Sequence, residues 1–307
     1  MKKTILATAI TALFASTAAQ AASIYDKDGM TVELSGDVEI VAMQPVDSDG
    51  TTIAVDEADF GFALGYDVGN DITAVGALAF AADGGTASVD EAYVGVETKW
   101  GTLTVGQQYT IFDDAGIGGD YQFGFSKFYE QDASGAQVVK YKLDTEQFYG
   151  GFAWLKDTEA SPTATSVSGF DANIGMRVAD FDFTLFYGDV DTASAYNFEA
   201  RWMLDKLTLA AAIASTDWDL DAPAGADDKW GTTSSYGITA DYMLNEKVTL
   251  AAGLAGVDED FDESLSVQYF LNASYALSPN VNTYVELGGN DADDSEFGYA
   301  AGMQVFF

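Results

Sequence analysis

The chain ends on "EFGYAAGMQVFF", Glu296 to Phe307. Every second residue is apolar: Phe297, Tyr299, Ala301, Met303, Val305 and Phe307. The residues between are acidic, small or polar until the last pair. A period of two marks a strand with one wet face and one greasy face. The same period recurs upstream. Ser264 to Leu277 sets Leu265, Val267, Tyr269, Leu271, Ala273, Tyr275 and Leu277 against Ser264, Ser266, Gln268, Asn272 and Ser274, with Phe270 as the exception. Tyr236, Ile238, Ala240, Tyr242 and Leu244 alternate with Ser235, Gly237, Thr239 and Asp241. Phe181, Phe183, Leu185 and Tyr187 alternate with Asp182, Thr184 and Gly188.

The breaks between runs are of two kinds. Tight ones fall at Gly69-Asn70-Asp71, Trp100-Gly101, Asp144-Thr145-Glu146, Leu204-Asp205-Lys206, Asn245-Glu246-Lys247 and Ser278-Pro279-Asn280. Longer acidic ones fall at 47–52, 83–88, 157–168, 217–231, 258–263 and 290–295. Their alternation is the rhythm of up-and-down hairpins with short turns at one end and loops at the other. About sixteen strands of roughly ten residues result, long enough to cross a bilayer when tilted.

Composition decides which face is buried. In a soluble sandwich the Val, Ile and Leu face forms the core. Here the opposite face carries Gly, Ala, Ser, Thr and charges, and packing it dry would leave polar groups unpaired at a cost of several kcal/mol each. Turned inside out, the pattern works: the greasy face meets lipid and the small polar face surrounds water. Backbone groups in hydrocarbon must all be paired, so the sheet must close into a barrel. Tyr66, Trp100, Phe148, Trp154, Tyr187, Trp202 and Tyr242 sit near strand ends, as interfacial girdles require. The terminal strand is then expected to close the barrel on the first, about Met30 to Gln44.

The first 21 of the 307 residues have the layout of a secretory signal: Lys2 and Lys3, an apolar run to Ala18, and Ala19-Gln20-Ala21 as cleavage site. Removing them leaves 286 residues with 11 basic and 49 acidic side chains, a formal charge of −38. That charge opposes binding to nucleic acid and suits cations. With no cysteine, a disulfide framework is excluded. No apolar stretch of about 18 residues follows the signal, so no helix is expected to span a membrane. With no histidine, the acid–base chemistry of outer-membrane lipases and proteases lacks its base. Paired carboxylates abound, but none stands out as a fixed catalytic pair. No catalytic residue, cofactor or metal ligand is assigned.

Three stretches carry a resemblance: "SIYDKDGMTVELSGDVEIV" (Ser23 to Val41), "EAYVGVETKWGTLTVGQQY" (Glu91 to Tyr109) and "LSPNVNTYVELG" (Leu277 to Gly288) with the strand that follows it. Together they resemble the general diffusion porins of Gram-negative bacteria over residues 22–307. The resemblance implies a sixteen-stranded transmembrane antiparallel β-barrel, a homotrimer in the outer membrane, and a third external loop folded into the pore. The terminal aromatic resembles the sorting signal of such barrels. The loop corresponds to 110–137, "TIFDDAGIGGDYQFGFSKFYEQDASGAQ", whose aromatics are too many for a solvated loop. The family's Pro-Glu-Phe-Gly-Gly signature is absent, with Gln122-Phe123-Gly124 its nearest remnant. Asp113, Asp114, Asp120, Glu130 and Asp132 are the candidates for the loop's acidic lobe. In enterobacterial relatives an arginine cluster faces that lobe. Here Asp59 and Gln107 stand at two of those positions, and Lys142, with Lys140 on the same face, keeps a base at the third. Arg177 and Arg201 fall on polar faces, either adding to the wall or pairing with a neighbour such as Glu199.

The expected function is passive diffusion of small hydrophilic solutes and ions, with a preference for cations. The alternative is a substrate-selective channel, for instance for oligosaccharides, using lumen aromatics such as Phe186 and Phe270. Acidic clusters at 258–263 and 291–296 are solvated or hold divalent cations between the barrel and lipopolysaccharide. "PVDSDGTTIAVD" (Pro45 to Asp56) has calcium-loop spacing but begins on proline and reads as a hairpin loop. "GIGGD" lacks the strand-to-helix setting of a nucleotide site.

Overall fold

The structure is a computed structural model, and it describes residues 21–82, 86–125, 133–156, 167–191, 193–218, 231–259 and 262–307. For 259 and 262–265 the backbone alone is described. The expected signal segment lies outside the described residues except for Ala21.

Among the described residues seventeen strands follow one another, each antiparallel to its neighbours: β1 (Ala22–Lys27), β2 (Met30–Gln44), β3 (Thr52–Gly69), β4 (Ile72–Ala81), β5 (Ser88–Thr98), β6 (Gly101–Tyr109), β7 (Ser134–Asp144), β8 (Phe148–Lys156), β9 (Ser168–Val178), β10 (Phe181–Val190), β11 (Ala193–Met203), β12 (Leu207–Trp218), β13 (Gly231–Asn245), β14 (Val248–Glu259), β15 (Asp262–Ser278), β16 (Val281–Asn290) and β17 (Gly298–Phe306). Sixteen of them, β2 to β17, close a barrel. β17 pairs with β2 from Tyr299 opposite Gln44 to Phe306 opposite Asp37. Phe307 and Gly36 then exchange main-chain hydrogen bonds at 2.9 and 3.0 Å. The seventeenth strand, β1, takes the rest of that edge of β2, from Ala22 opposite Leu34 to Lys27 opposite Met30. Its two-residue turn, Asp28-Gly29, has φ of 56° and 81°. That is the left-handed pair that a tight hairpin matching strand twist demands. With β17 and β1 sharing the edge, β2 presents no open backbone there.

Side-chain direction follows the expected inversion. Val94 and Ile174 are 69% and 68% exposed on the outer wall, while Asp171 and Glu199 are 1% and 0% exposed inside. All six alternate apolar positions of the closing strand except Ala301 are large side chains exposed to the outside. The girdle aromatics Tyr66, Trp100, Phe148, Trp154, Tyr187, Trp202 and Tyr242 are likewise exposed outward. Short turns mark the periplasmic end of such a barrel and longer loops the external end.

Two breaks depart from the expected rhythm. A tight turn at Ala179-Asp180 separates β9 from β10, with Ala179 at φ 51°. Alanine carries no turn signature, so sequence cannot flag it. On the loop side, only residues 191–192 separate β10 from β11.

One irregularity matters for the lumen. The register of β2 on β3 slips between Val38 opposite Ala58 and Ile40 opposite Val55, so Asp56 and Glu57 together face Glu39. A bulge places two successive residues on one side of a strand and flips the alternation beyond it. Ile53 and Val55 point outward before it, Phe60 and Tyr66 after it.

Candidate pore constriction

Of the segment between β6 and β7, residues 110–133, the described part crosses the inside of the barrel. That part runs to Phe125 and resumes at Ala133. It lies along the inner wall of β9 to β16, held at successive points by the same device. A wall carboxylate accepts main-chain N–H groups of the loop. Asp171 on β9 accepts from Ile111 and Phe112, both at 3.1 Å. Glu199 on β11 accepts from Gly116 at 2.5 Å. Glu286 on β16 accepts from Gln122 at 3.2 Å and Phe123 at 2.6 Å. An irregular segment has no ladder for its N–H groups, and buried ones need partners. These acids supply them.

Apolar contacts alternate with the polar ties. Ile111 and Phe112, fully buried, pack with Val138, Ala153, Leu155, Val190 and Ala195, and the rings of Phe112 and Phe186 are 5.8 Å apart. Ile117 settles on Ala210 and Ala212. Phe125 and Tyr121 lie against Phe270, with ring centroids at 5.2 and 5.3 Å. The wall's alanines and glycines are the floor that makes room for the loop. Tyr121 donates its hydroxyl to Asp241 at 2.5 Å, and burial together with that carboxylate pushes the phenol above its ordinary pKa. At the loop's far end Gln122 reaches Asp56 on β3 at 2.5 Å.

The expected site residues separate into groups. Lys142 pairs with Asp114 at 2.6 Å, and Lys140 donates to the Tyr109 carbonyl at 2.7 Å. The charge of Lys140 is felt by Glu91, Asp113 and Asp114, so these residues form one cluster at the root of the loop. Asp59 lies opposite Asp37, and Asp120 of the loop is within electrostatic reach of Glu39 and Glu57. Those acids form a second cluster on β2 and β3. Arg201 sits at the middle of the loop, paired with Glu199 at 2.7 Å and donating to the Gly116 carbonyl. Arg177 is not near the loop. It grips Asp144 at 2.6 and 3.0 Å and stacks 4.3 Å over the Tyr149 ring beside a tight turn. Gln107 is opposite Ala92, at the outward parity of Val94 and Val105, and its amide donates to the Val89 and Asp90 carbonyls. Gln108, 1% exposed, is the inward residue and accepts from Thr104 at 2.7 Å. The alternation of β6 runs unbroken through this point, and the register shift there places the extra residue on β7, between Gly135 and Val138. Glu130 and Asp132 lie outside the described residues.

Sequence reasoning missed most of the wall acids: Glu33, Asp37, Glu39, Asp56, Glu57, Glu91, Glu97, Asp171 and Glu286. Their signal was available in part, because most of them fall at the polar parity of a strand. Asp37 and Glu57 are further joined by Gln304 of the closing strand, whose amide donates to both at 2.8 and 2.9 Å. Phe186 and Phe270, the two aromatics expected along the lumen, are 2% and 1% exposed beneath the loop. They anchor the loop rather than line the open passage.

Comparison with known proteins places this architecture. A family profile described as Gram-negative porin matches residues 7–295. The porin-like protein H of Photobacterium profundum is 33% identical, with 100% of both chains covered. The monosaccharide porin of a Halomonas species is 27% identical over 97% of this chain and 84% of its own. Among solved structures, the trimer form of OmpT, an outer membrane protein of Vibrio cholerae, superposes with a TM-score of 0.75 at 16% identity, covering 91% of this chain and 100% of that one. A closed barrel with a greasy exterior, a polar lumen and an infolded loop, matched by that profile along nearly its whole length, identifies the chain as a member of the Gram-negative porins, an outer-membrane channel protein.

Proposed function

We propose that this porin passes small hydrophilic solutes by diffusion and favours cations. The observation that carries the proposal is the charge of the wall the loop leaves open. On β2 to β5 the inward acids are Glu33, Asp37, Glu39, Asp56, Glu57, Asp59, Glu91 and Glu97, and the loop adds Asp113, Asp114 and Asp120. Against them stand Lys140 and Lys142 of β7. Low-dielectric walls focus such a field into the water between them, raising the local concentration of cations and lowering that of anions. The reading needs no chemistry, in keeping with a chain that has no histidine. It includes a homotrimer, supported by the trimeric form of the matched OmpT structure. It also includes divalent cations bridging the acidic outer loops to lipopolysaccharide. The test is the reversal potential of single channels in a planar bilayer under a salt gradient. A potential of the sign set by cation flow is expected, and one set by anion flow overturns the proposal.

A second reading is favoured by one observation, the relative named as a monosaccharide porin. Selectivity for a sugar would show as a saturable block of current by monosaccharides. The burial of Phe186 and Phe270 under the loop argues that such selectivity would not run along those two rings.

A further inference from the structure

The outer wall from β10 to β15 is hollowed on its hydrocarbon side. A trough of about 750 Å³ opens there, and a smaller one of about 380 Å³ continues it further from the tight turns. Its floor is a run of outward alanines on successive strands, Ala200, Ala211, Ala240 and Ala252, and Trp202 and Tyr269 stand at its sides. Along β12 it runs from Leu209 to Ile213. At about 3.3 Å per residue that is about 13 Å along the strand, or about 10 Å of depth at a tilt of about 40°, roughly two-thirds of one hydrocarbon leaflet of about 15 Å. Two tight turns lie at its periplasmic mouth, and they have the same make-up: Asp205-Lys206 and Glu246-Lys247. All four side chains are exposed. Both turns are pinned to the next strand, since the Lys206 carbonyl accepts from Met243 and the Lys247 carbonyl from Ala276, each at 2.8 Å. The Lys247 ammonium lies 5.8 Å over the outward-facing ring of Tyr275, which holds it on the lipid side. A lysine in that position snorkels at the interface while its stem lies on apolar surface.

We propose that this trough is a binding site for a diacyl phosphatidylethanolamine, one acyl chain lying on the alanines and the headgroup resting on the two turns. A carboxylate beside an ammonium, repeated twice, is the reciprocal of a headgroup with an anionic phosphate and a hydrogen-bonding ammonium. A phosphatidylglycerol headgroup meets the lysines but is repelled by Asp205 and Glu246. A choline headgroup has no N–H to give those carboxylates.

Native mass spectrometry of the detergent-purified protein, titrated with the three lipids carrying identical acyl chains, tests this. One phosphatidylethanolamine per barrel is expected to be held in preference to the other two. Ala240→Phe, which fills the floor with a group the hydrocarbon accepts, should reduce retention at least tenfold, and Ala211→Leu serves if that barrel does not fold. Val285→Phe, on the outer wall of β16, should leave retention unchanged. Lys206→Gln with Lys247→Gln should weaken phosphatidylethanolamine about 25-fold, taking each lysine as about a factor of five, and should weaken phosphatidylcholine, which carries the same phosphate, alongside it. Equal retention by wild type and Ala240→Phe overturns the site. So does an Ala240→Phe barrel whose subunit number changes while its lipid does not, because the trough would then be a contact between barrels. Equal affinity for all three lipids overturns the headgroup assignment.

Discussion

The carboxylate of Glu286 accepts the main-chain N–H of Phe123 at 2.6 Å, and the N–H of Gln122 at 3.2 Å, tying the loop to β16 from inside the barrel. Asn272 donates to the same carboxylate at 3.0 Å. Glu286 is 2% exposed, so its loss strands two loop amides away from water. Hydrogen bonds to a charged group contribute about 1.5–3 kcal/mol each. Glu286→Ala should therefore free this end of the loop without unfolding a barrel whose ladder it does not touch. Single-channel recording should show a larger, noisier conductance, and a quiet channel of native size would refute the tie.

Phe123 lies over two facing glycines, Gly288 on β16 and Gly298 on β17. A Cβ at either position would strike its ring. Gly288→Val should lift the ring from the wall at a cost of about 1–3 kcal/mol, the usual range for overpacking. The expected signature is a raised conductance with the denaturation temperature of the barrel little changed, since strand pairing is intact. A conductance equal to wild type would show that the loop's position does not depend on this seat.

The barrel itself was legible in sequence because membrane insertion leaves a period-two record on every strand. Its closure on Met30–Gln44 followed from that record together with the need to leave no open edge in lipid. The short strand Ala22–Lys27 was hidden because its apolar content is low and its partner is already a strand. The loop's course was hidden for a different reason. Its anchors are wall acids that look, one at a time, like any lumen charge. Nothing local to Asp171 or Glu286 says that its partners are amides far away in the chain. The family alignment and one bulge cost the rest. At Gly106–Gln108 the alternation of Leu103 and Val105 simply continues and turns Gln107 outward and Gln108 inward, against the place the resemblance gave Gln107, and at Asp56–Glu57 a bulge set two acids where strict alternation allows one.

Across the barrel seam, Asp47 clasps the loop before β17. Its carboxylate accepts the Glu296 N–H at 2.8 Å and the Asn290 side-chain amide at 3.1 Å. These bonds, with one from Ser295, favour the charged form and hold its pKa below the ordinary aspartate value. A carboxyl with a lowered folded pKa stabilises the fold above the unfolded value, about 3.9, and that contribution fades as pH falls through the folded pKa. The clasp should thus be intact across neutral pH and open only in strong acid. The Glu296 amide shift, followed by NMR, should titrate with a midpoint below about 3.9, and a midpoint above about 4 would refute it. Asp47→Ala at neutral pH should speed hydrogen exchange across 290–297.

Lys142 and Asp114 are 2.6 Å apart, but their side chains are 47% and 44% exposed. Screening limits such a pair to less than about 1 kcal/mol. Lys142→Gln should leave thermal stability within about 1 kcal/mol of wild type while raising cation preference, because it removes one of the two bases facing the open passage. A large loss of stability, or an unchanged reversal potential, would contradict this placement.

The bulge on β3 concentrates charge where the loop approaches the wall. Asp37, Glu57 and Asp59 lie on adjoining strands there, the first two bridged by Gln304. In water a unit charge about 8 Å from a passing ion is worth about 0.5 kcal/mol, and salt reduces it further. Asp37 and Glu57 also hydrogen-bond to each other, which takes a shared proton, so the cluster carries about two charges and changes ion energies by up to about 1 kcal/mol. The triple variant Asp37→Asn, Glu57→Gln, Asp59→Asn keeps side-chain size and hydrogen-bonding capacity, so the barrel should fold. Its cation-over-anion permeability ratio should fall about three- to tenfold at low salt, and the deficit should shrink as salt is raised. A ratio that stays at the wild-type value would move the selectivity of this channel away from the bulge and onto the loop.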